Sequence, residues 1–255
     1  YRPKKEREPI DFLSKKKVFF TISIALIAAG LIMIGVNAGR GKGAFAYSLE
    51  FQGGTSTNVT FDKDYSIDEI DKEIVPIVEK VTGDNNVQTQ KVAGTNQVII
   101  KTVTLDLDKR EALNKAMADN FGVDESKITA ENISSTVSNE MRRDAVIAVV
   151  IATICMLLYI WFRFKDIRFA TSAVLALLHD VLVVVGFYAI ARISVGNTFI
   201  ACMLTIVGYS INATIVIFDR IREEMRGKTK SSDVAAVVNK SITQTLTRSI
   251  YTSLT

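Results

Sequence analysis

Four stretches of the chain are almost free of charge: residues 18–36, 145–162, 169–191 and 195–218. A helix rises about 1.5 Å per residue, so roughly 20 apolar residues cross a ~30 Å hydrocarbon core. Three stretches meet that length. Residues 145–162 fall at its short end, and Tyr159, Trp161 and Phe162 at their edge suit a membrane–water interface. This second span is drawn from 143 to 162. For the first stretch a cleaved signal peptide competes, because Lys15, Lys16 and Lys17 precede it and Val36-Asn37-Ala38 resembles a cleavage site. A signal core is only about 7–15 residues long, and three further spans follow, so a retained helix is favoured.

Residues 44–137 change period. Residues 44–52 and 55–61 read as extended and meet at Gly53-Gly54, a pair expected to serve a bulge or tight bend. Residues 66–82 read as a helix, with Ser66 as cap, Glu69 three later, and Ile70, Ile74 and Ile77/Val78 on one face. Pro76 inside it predicts a kink. Residues 86–92 and 97–104 read as a hairpin, 107–121 as a second helix and 127–135 as a last strand. The order is that of the split βαβ, ferredoxin-like arrangement. The predicted fold class is therefore an integral membrane α-helical bundle with an inserted α+β ferredoxin-like domain at 37–142.

After the fourth span, residues 219–230 read as a charged helix. A capping cluster, Ser231-Ser232-Asp233, opens the final segment. Val238, Ile242, Leu246, Ile250 and Leu254 recur every four residues, predicting an amphipathic helix on the membrane surface.

Composition sharpens this. Charged residues are 23% of 255 positions, yet Asp180 is the one charge inside the four stretches, which argues against a wholly soluble or disordered chain. Arg2, Lys4, Lys5, Arg7 and Lys15–Lys17 precede span one. Arg163, Lys165 and Arg168 join spans two and three, and further cations follow span four; the hairpin between spans three and four carries only Arg192. By the positive-inside rule the N-terminus (1–17), the 163–168 loop and the tail (219–255) face the cytoplasm, and residues 37–144 face outside. Arg142 and Arg143 run against this, but long translocated domains largely escape the rule. There is no initiator Met, and the chain is read as an internal fragment.

No enzyme, cofactor or metal chemistry is indicated. Cys155 and Cys202 lie in apolar stretches without metal-ligand spacing. Asp62, Asp64, Asp68, Glu69 and Asp71 read as a solvated face without EF-hand spacing. Gly39-Arg40-Gly41-Lys42-Gly43 lacks the phosphate-loop pattern.

The chemistry that stands out is His179-Asp180, at the centre of span three. An ionised carboxylate at midplane costs about 2.5–3.5 kcal/mol on insertion scales, so a carboxyl there binds a proton when dry and releases it when wet. That is proton-relay chemistry. The alternative is that both residues only hold neighbouring helices together. Adjacent residues diverge by about 100°, so the two are not expected to pair with each other. In span four, Thr198, Cys202, Thr205, Tyr209 and Asn212 share one helical face, and Asp219 continues it. This stripe is either a packing seam or the wall of a polar interior facing Asp180. Counted from the hairpin, Asp180 lies about 18 Å deep, and Thr205 and Tyr209 about 15 and 21 Å.

The chain resembles the SecF family, of the SecD/SecF protein-export branch of the RND superfamily, or the SecF-like half of a fused SecDF. The resemblance rests on Leu49-Glu50-Phe51-Gln52-Gly53-Gly54-Thr55, on Ala176-Leu177-Leu178-His179-Asp180-Val181, and on Val207-Gly208-Tyr209-Ser210-Ile211-Asn212 running to Phe218-Asp219-Arg220-Ile221-Arg222-Glu223. The tail from Asn239-Lys240-Ser241 to Thr252-Ser253-Leu254-Thr255 adds to it. The resemblance implies two further helices after Thr255 and a multi-pass protein of the bacterial cytoplasmic membrane. The implied partners are SecD, the SecYEG channel, SecA, unfolded preprotein and membrane lipid, with no nucleic acid. It implies use of the proton-motive force for export, with Asp180, His179, Asn212, Ser210, Tyr209 and Thr205 as proton-coupling candidates. Gly53, Gly54, Thr55, Asp219 and Arg220 are its structural motif residues. Glu50 stands where the family has Asp, and Ala213 where it has an acid, so the proton path uses fewer groups here or SecD supplies others.

Three functions compete. A proton-coupled export subunit predicts slowed preprotein export in Asp180→Asn. A small-molecule or lipid exporter of the same superfamily predicts accumulation phenotypes with normal secretion. A purely structural partner tolerates Asp180→Asn but not a packing change such as Gly208→Leu.

Overall fold

The structure is a computed structural model that describes residues 8–41, 43–226 and 233–255. Arg2, Lys4, Lys5, Arg7, Lys42, Ser231, Ser232 and residues 227–230 of the expected charged helix lie outside the described residues. The chain divides into two compact units, residues 1–45, 148–193 and 198–255, and residues 46–147 with 194–197.

The second unit holds a four-stranded antiparallel sheet of β1 (Gly54–Thr60), β2 (Gln88–Lys91), β3 (Gln97–Thr102) and β4 (Thr129–Ile133), in the order β2-β3-β1-β4. With the helices between β1 and β2 and between β3 and β4, this is the split βαβ arrangement. The first of these helices opens at Ile67, runs through a π-turn at Ile70–Ile74 and ends at Thr82. Ser66 and Glu69 form the reciprocal capping box. Pro76 has no N–H to give the preceding turn, and the helix widens into the π-turn immediately before it. The second, Leu107–Phe121, begins at the Asp106 cap and ends at Gly122 in the left-handed conformation. Ile70, Ile74 and Val78 of one helix and Leu113 and Met117 of the other bury against Val59, Val98 and Ile100 of the sheet.

The expected strand over 44–52 is not formed. Tyr47 makes one parallel bridge to Val195, and Leu49–Gln52 closes a turn of helix. Gly53, at φ 75°, stops it by returning its N–H to the Leu49 carbonyl at 2.8 Å. Four residues are too few for alternation to separate strand from helical turn.

In the first unit, α1 (Lys16–Gly39), α2 (Ser135–Phe164, shared with the second unit), α3 (Ile167–Ala191) and α4 (Asn197–Met225) are long and apolar enough to cross a membrane. Their large apolar side chains, such as Phe20, Ile24, Ile151 and Leu175, point outward, as lipid-facing helices require. The buried positions are Ala173, Leu177, Gly186 and Ala189 on α3 and Met203, Val207 and Ile211 on α4. α4 runs on through the charged exit to Met225.

The final helix, α5 (Val234–Leu254), is capped by Asp233, which accepts from Ala235 and Ala236 N–H. Its buried stripe is Val237, Ser241 and Thr245, while Ile250 and Leu254 stay exposed. The every-four apolar series therefore does not form one packing face. Each four-residue step overshoots a turn by about 40°, so Leu254 has rotated about 160° from Val238.

Candidate functional site

α1 and α3 lie side by side through a heptad ladder. Ser23, Gly30 and Asn37 recur every seven residues on α1. Ser23 Oγ meets His179 Nε2 at 2.8 Å, Gly30 meets Gly186 backbone to backbone, and Asn37 Nδ2 donates to the Ala189 carbonyl at 3.2 Å. A Cβ added to Gly186 would stand 3.2 Å from Gly30 Cα. Small residues thus let the helices approach until side-chain hydrogen bonds close between them. His179 to Gly186 is also seven residues, so the helices run parallel.

Asp180 sits midway along α3, 13 residues from Ile167 and 11 from Ala191. Its Oδ1 lies 2.8 Å from His179 Nδ1, and Ser210 of α4 donates a hydrogen bond to Oδ2. The expectation that His179 and Asp180 do not pair is overturned. Their Cα directions diverge, but the imidazole and carboxylate are long enough to turn toward each other around the helix. The result is a continuous chain, Ser23–His179–Asp180–Ser210, linking α1, α3 and α4. Among the described residues Asp180 makes no ion pair with Lys or Arg.

The chain can carry a proton in two arrangements. With Asp180 ionised, Nδ1–H of His179 and the Ser210 hydroxyl both donate to it, and the Ser23 hydroxyl donates to Nε2. With Asp180 protonated, its O–H becomes a donor to one of these partners, and hydroxyl rotation or an imidazole tautomer switch accommodates it. One heavy-atom arrangement therefore suits both charge states.

The structure does not bring the polar stripe of span four to Asp180. Thr205 is exposed and donates to its own helix at Ala201, and Tyr209 is half exposed. Met203, Val207 and Ile211 form the buried face instead. Ser210 reaches Asp180 because it stands one residue, about 100°, from the stripe. Tyr209, Asn212 and Ala213 line a narrow cleft against Arg248, Ser249, Thr252 and Ser253 of α5. Ala213 thus shares a cleft with a cation, Arg248. Gly208 has open space at its Cβ position, so Gly208→Leu is not the packing probe expected.

The remaining motif residues have mechanical places. Gly54, at φ 132°, lies so close to the Thr102 carbonyl that no Cβ fits. Thr55 is fully buried; its hydroxyl accepts from Leu105 N–H at 2.9 Å and donates to Asn132 Oδ1. Glu50 accepts from the N–H of Asn197, the first residue of α4, at 3.2 Å. Asp219 pairs with Arg163 at 3.0 Å. Arg220 binds Glu223, Glu224 and Gln244, and Lys240 joins Glu224, clasping α5 to the end of α4. Asn239 Oδ1 accepts from Phe12 and Leu13 N–H and so holds the N-terminal segment to α5. Sequence reasoning missed Ser23, Gly30, Asn37 and Gly186. The heptad spacing on α1 was the available signal.

The comparisons with known proteins agree with this architecture. Residues 113–255 match the family described as protein export membrane protein SecD/SecF, C-terminal. A protein translocase subunit SecF from Petrotoga mobilis is 36% identical over 252 residues, covering 96% of this chain and 81% of that protein. A protein translocase subunit SecDF from Bacillus subtilis is 35% identical over 258 residues, covering 96% of this chain and 32% of its own. The crystal structure of SecDF, a translocon-associated membrane protein from Thermus thermophilus, superposes with a TM-score of 0.76 at 30% identity. It covers 99% of this chain, which spans 33% of that one.

Proposed function

We propose a function from one premise: the chain belongs to the SecD/SecF family of protein-export membrane proteins. It acts as a non-enzymatic accessory subunit of Sec protein export and, with SecD, uses the proton-motive force to assist preprotein translocation. Its site is the cytoplasmic membrane, with the N-terminus inside and residues 37–142 outside. SecYEG, SecA and unfolded preprotein are the further partners. Fused relatives, in which SecD and SecF form one chain, support SecD as the immediate partner.

Asp180 carries this reading. It is a carboxyl near mid-span, hydrogen-bonded to His179 and Ser210, with no Lys or Arg ion pair among the described residues. A cation would hold it ionised, whereas neutral hydrogen-bonding partners leave both protonation states open. Its side chain is 36% exposed and that of His179 is 42% exposed, which leaves a face where SecD can contribute further groups. The test is preprotein export in cells relying on Asp180→Asn, which keeps the hydrogen-bonding shape. Normal abundance with slowed export is expected; unchanged export refutes proton coupling.

A second reading has its own support, since both Asp180 carboxylate oxygens are satisfied within the bundle. As packing glue, Asp180 would tolerate Asn while Gly30→Leu abolished function.

A further inference from the structure

We propose that the protein binds an anionic phospholipid in a cavity at the cytoplasmic end of the bundle. The cavity is about 860 Å³ and lies among the end of α2, the start of α3, the end of α4 and the start of α5. Its inner wall is aromatic. Phe164, Phe169 and Phe218 pack with ring centroids 4.9–5.8 Å apart, where the apolar runs of the spans end. Among the described residues four cations stand around it: Lys165, Arg168, Arg222 and Arg226.

None of the four forms an ion pair among the described residues. The acids nearby are committed elsewhere. Asp166, the one carboxylate among the described residues that line the cavity, caps α3 by accepting from Arg168 N–H at 2.9 Å. Asp219 holds Arg163, and Glu223 and Glu224 hold Arg220. Arg222 lies over the Phe164 ring at 5.6 Å, so its guanidinium is held beside the aromatic wall.

The positive-inside rule accounts for cations on this side, but not for four of them sharing one pocket with an apolar wall. That pairing matches a phospholipid. The phosphate meets the cations at headgroup depth, and the first acyl carbons lie along the rings and Val238. A free phosphate would use the cations and leave the apolar wall wet.

The test uses the purified protein in detergent, with native mass spectrometry reading retained lipid across a titration of phosphatidylglycerol or phosphatidylcholine. Phosphatidylglycerol should bind at least about tenfold more tightly, and each cation removed should weaken it about fivefold. Lys165→Gln with Arg168→Gln should therefore cost about 25-fold, and Arg222→Gln with Arg226→Gln a similar factor. The loop pair decides the matter if the second pair, which also loses the ring contact, fails to fold. Lys16→Gln with Lys17→Gln, on the same side but outside the cavity, should change nothing. Equal binding of the two lipids, or an equal loss in the Lys16/Lys17 variant, overturns the proposal. Displacement of phosphatidylglycerol by millimolar inorganic phosphate or by an acidic peptide overturns it in favour of those ligands.

Discussion

Replacing Gly30 with Ala tests how the α1–α3 ladder is built. The added Cβ would overlap Gly186 Cα, which is backbone and cannot rotate away. Carbon atoms settle about 3.5–4.0 Å apart, so the helices must part by roughly 1 Å. One heptad to either side, the Ser23–His179 and Asn37–Ala189 hydrogen bonds stand at 2.8 and 3.2 Å. Parting moves both toward or past the ~3.5 Å limit. Overpacking costs about 1–3 kcal/mol, and two interhelical hydrogen bonds add about 0.6 kcal/mol each, giving about 2–4 kcal/mol. Gly35 lies on the same helix with nothing within 4 Å of its Cβ position. There Ala gains helix propensity, up to about 1 kcal/mol. Unfolding of the purified protein by SDS titration reads both. Gly30→Ala should destabilise and Gly35→Ala should be neutral or stabilising; effects of the same sign and size would refute the ladder.

Thr55→Val orphans the buried Leu105 N–H and should cost about 1–3 kcal/mol. Thr57, two residues along the same face, has a buried hydroxyl with no partner among the described residues, so Thr57→Val should stabilise. Hydrogen exchange across β1 and β3 should move in opposite directions for the two. Glu69 is held at about 2 from its ordinary 4.5, chiefly by Ser66 N–H and then by the Ser66 hydroxyl and Lys63. A carboxyl lowered on folding stabilises above its unfolded value, and that contribution is lost as pH falls toward about 2. Protection of the Ile67–Thr82 helix should therefore fall between pH 4.5 and 2, and less steeply in Glu69→Gln. Ala213→Asp places a carboxylate in the cleft with Arg248, and an Arg248→Gln double-mutant cycle in unfolding should return a favourable coupling.

Much of this fold is legible in the chain because local signals agree with the global answer. Ser66 with Glu69, and Asp106 with Gly122, mark helix ends by capping chemistry that needs no tertiary contact. The four apolar helices follow from the missing charges alone. The failures arise where rotation decides. Leu49 and Phe51 alternate as in a strand, yet the run closes a turn of helix. The spacing-of-four series in α5 drifts around its own axis. In span four the polar stripe pointed to Tyr209, while its neighbour Ser210 meets Asp180. The Ser23–His179 contact needed the knowledge that α1 and α3 run parallel, which sidedness implies but spacing within one helix does not.

The proposed function requires Asp180 to exchange a proton while the bundle stays folded. Difference infrared spectroscopy of the protein in lipid bilayers, with Asp180→Asn as reference, reads that carboxyl directly. A protonated-carboxyl band is expected that diminishes as the outside pH is raised and is absent from Asp180→Asn. A carboxylate that stays ionised at every pH, with no such band to lose, would rule that exchange out.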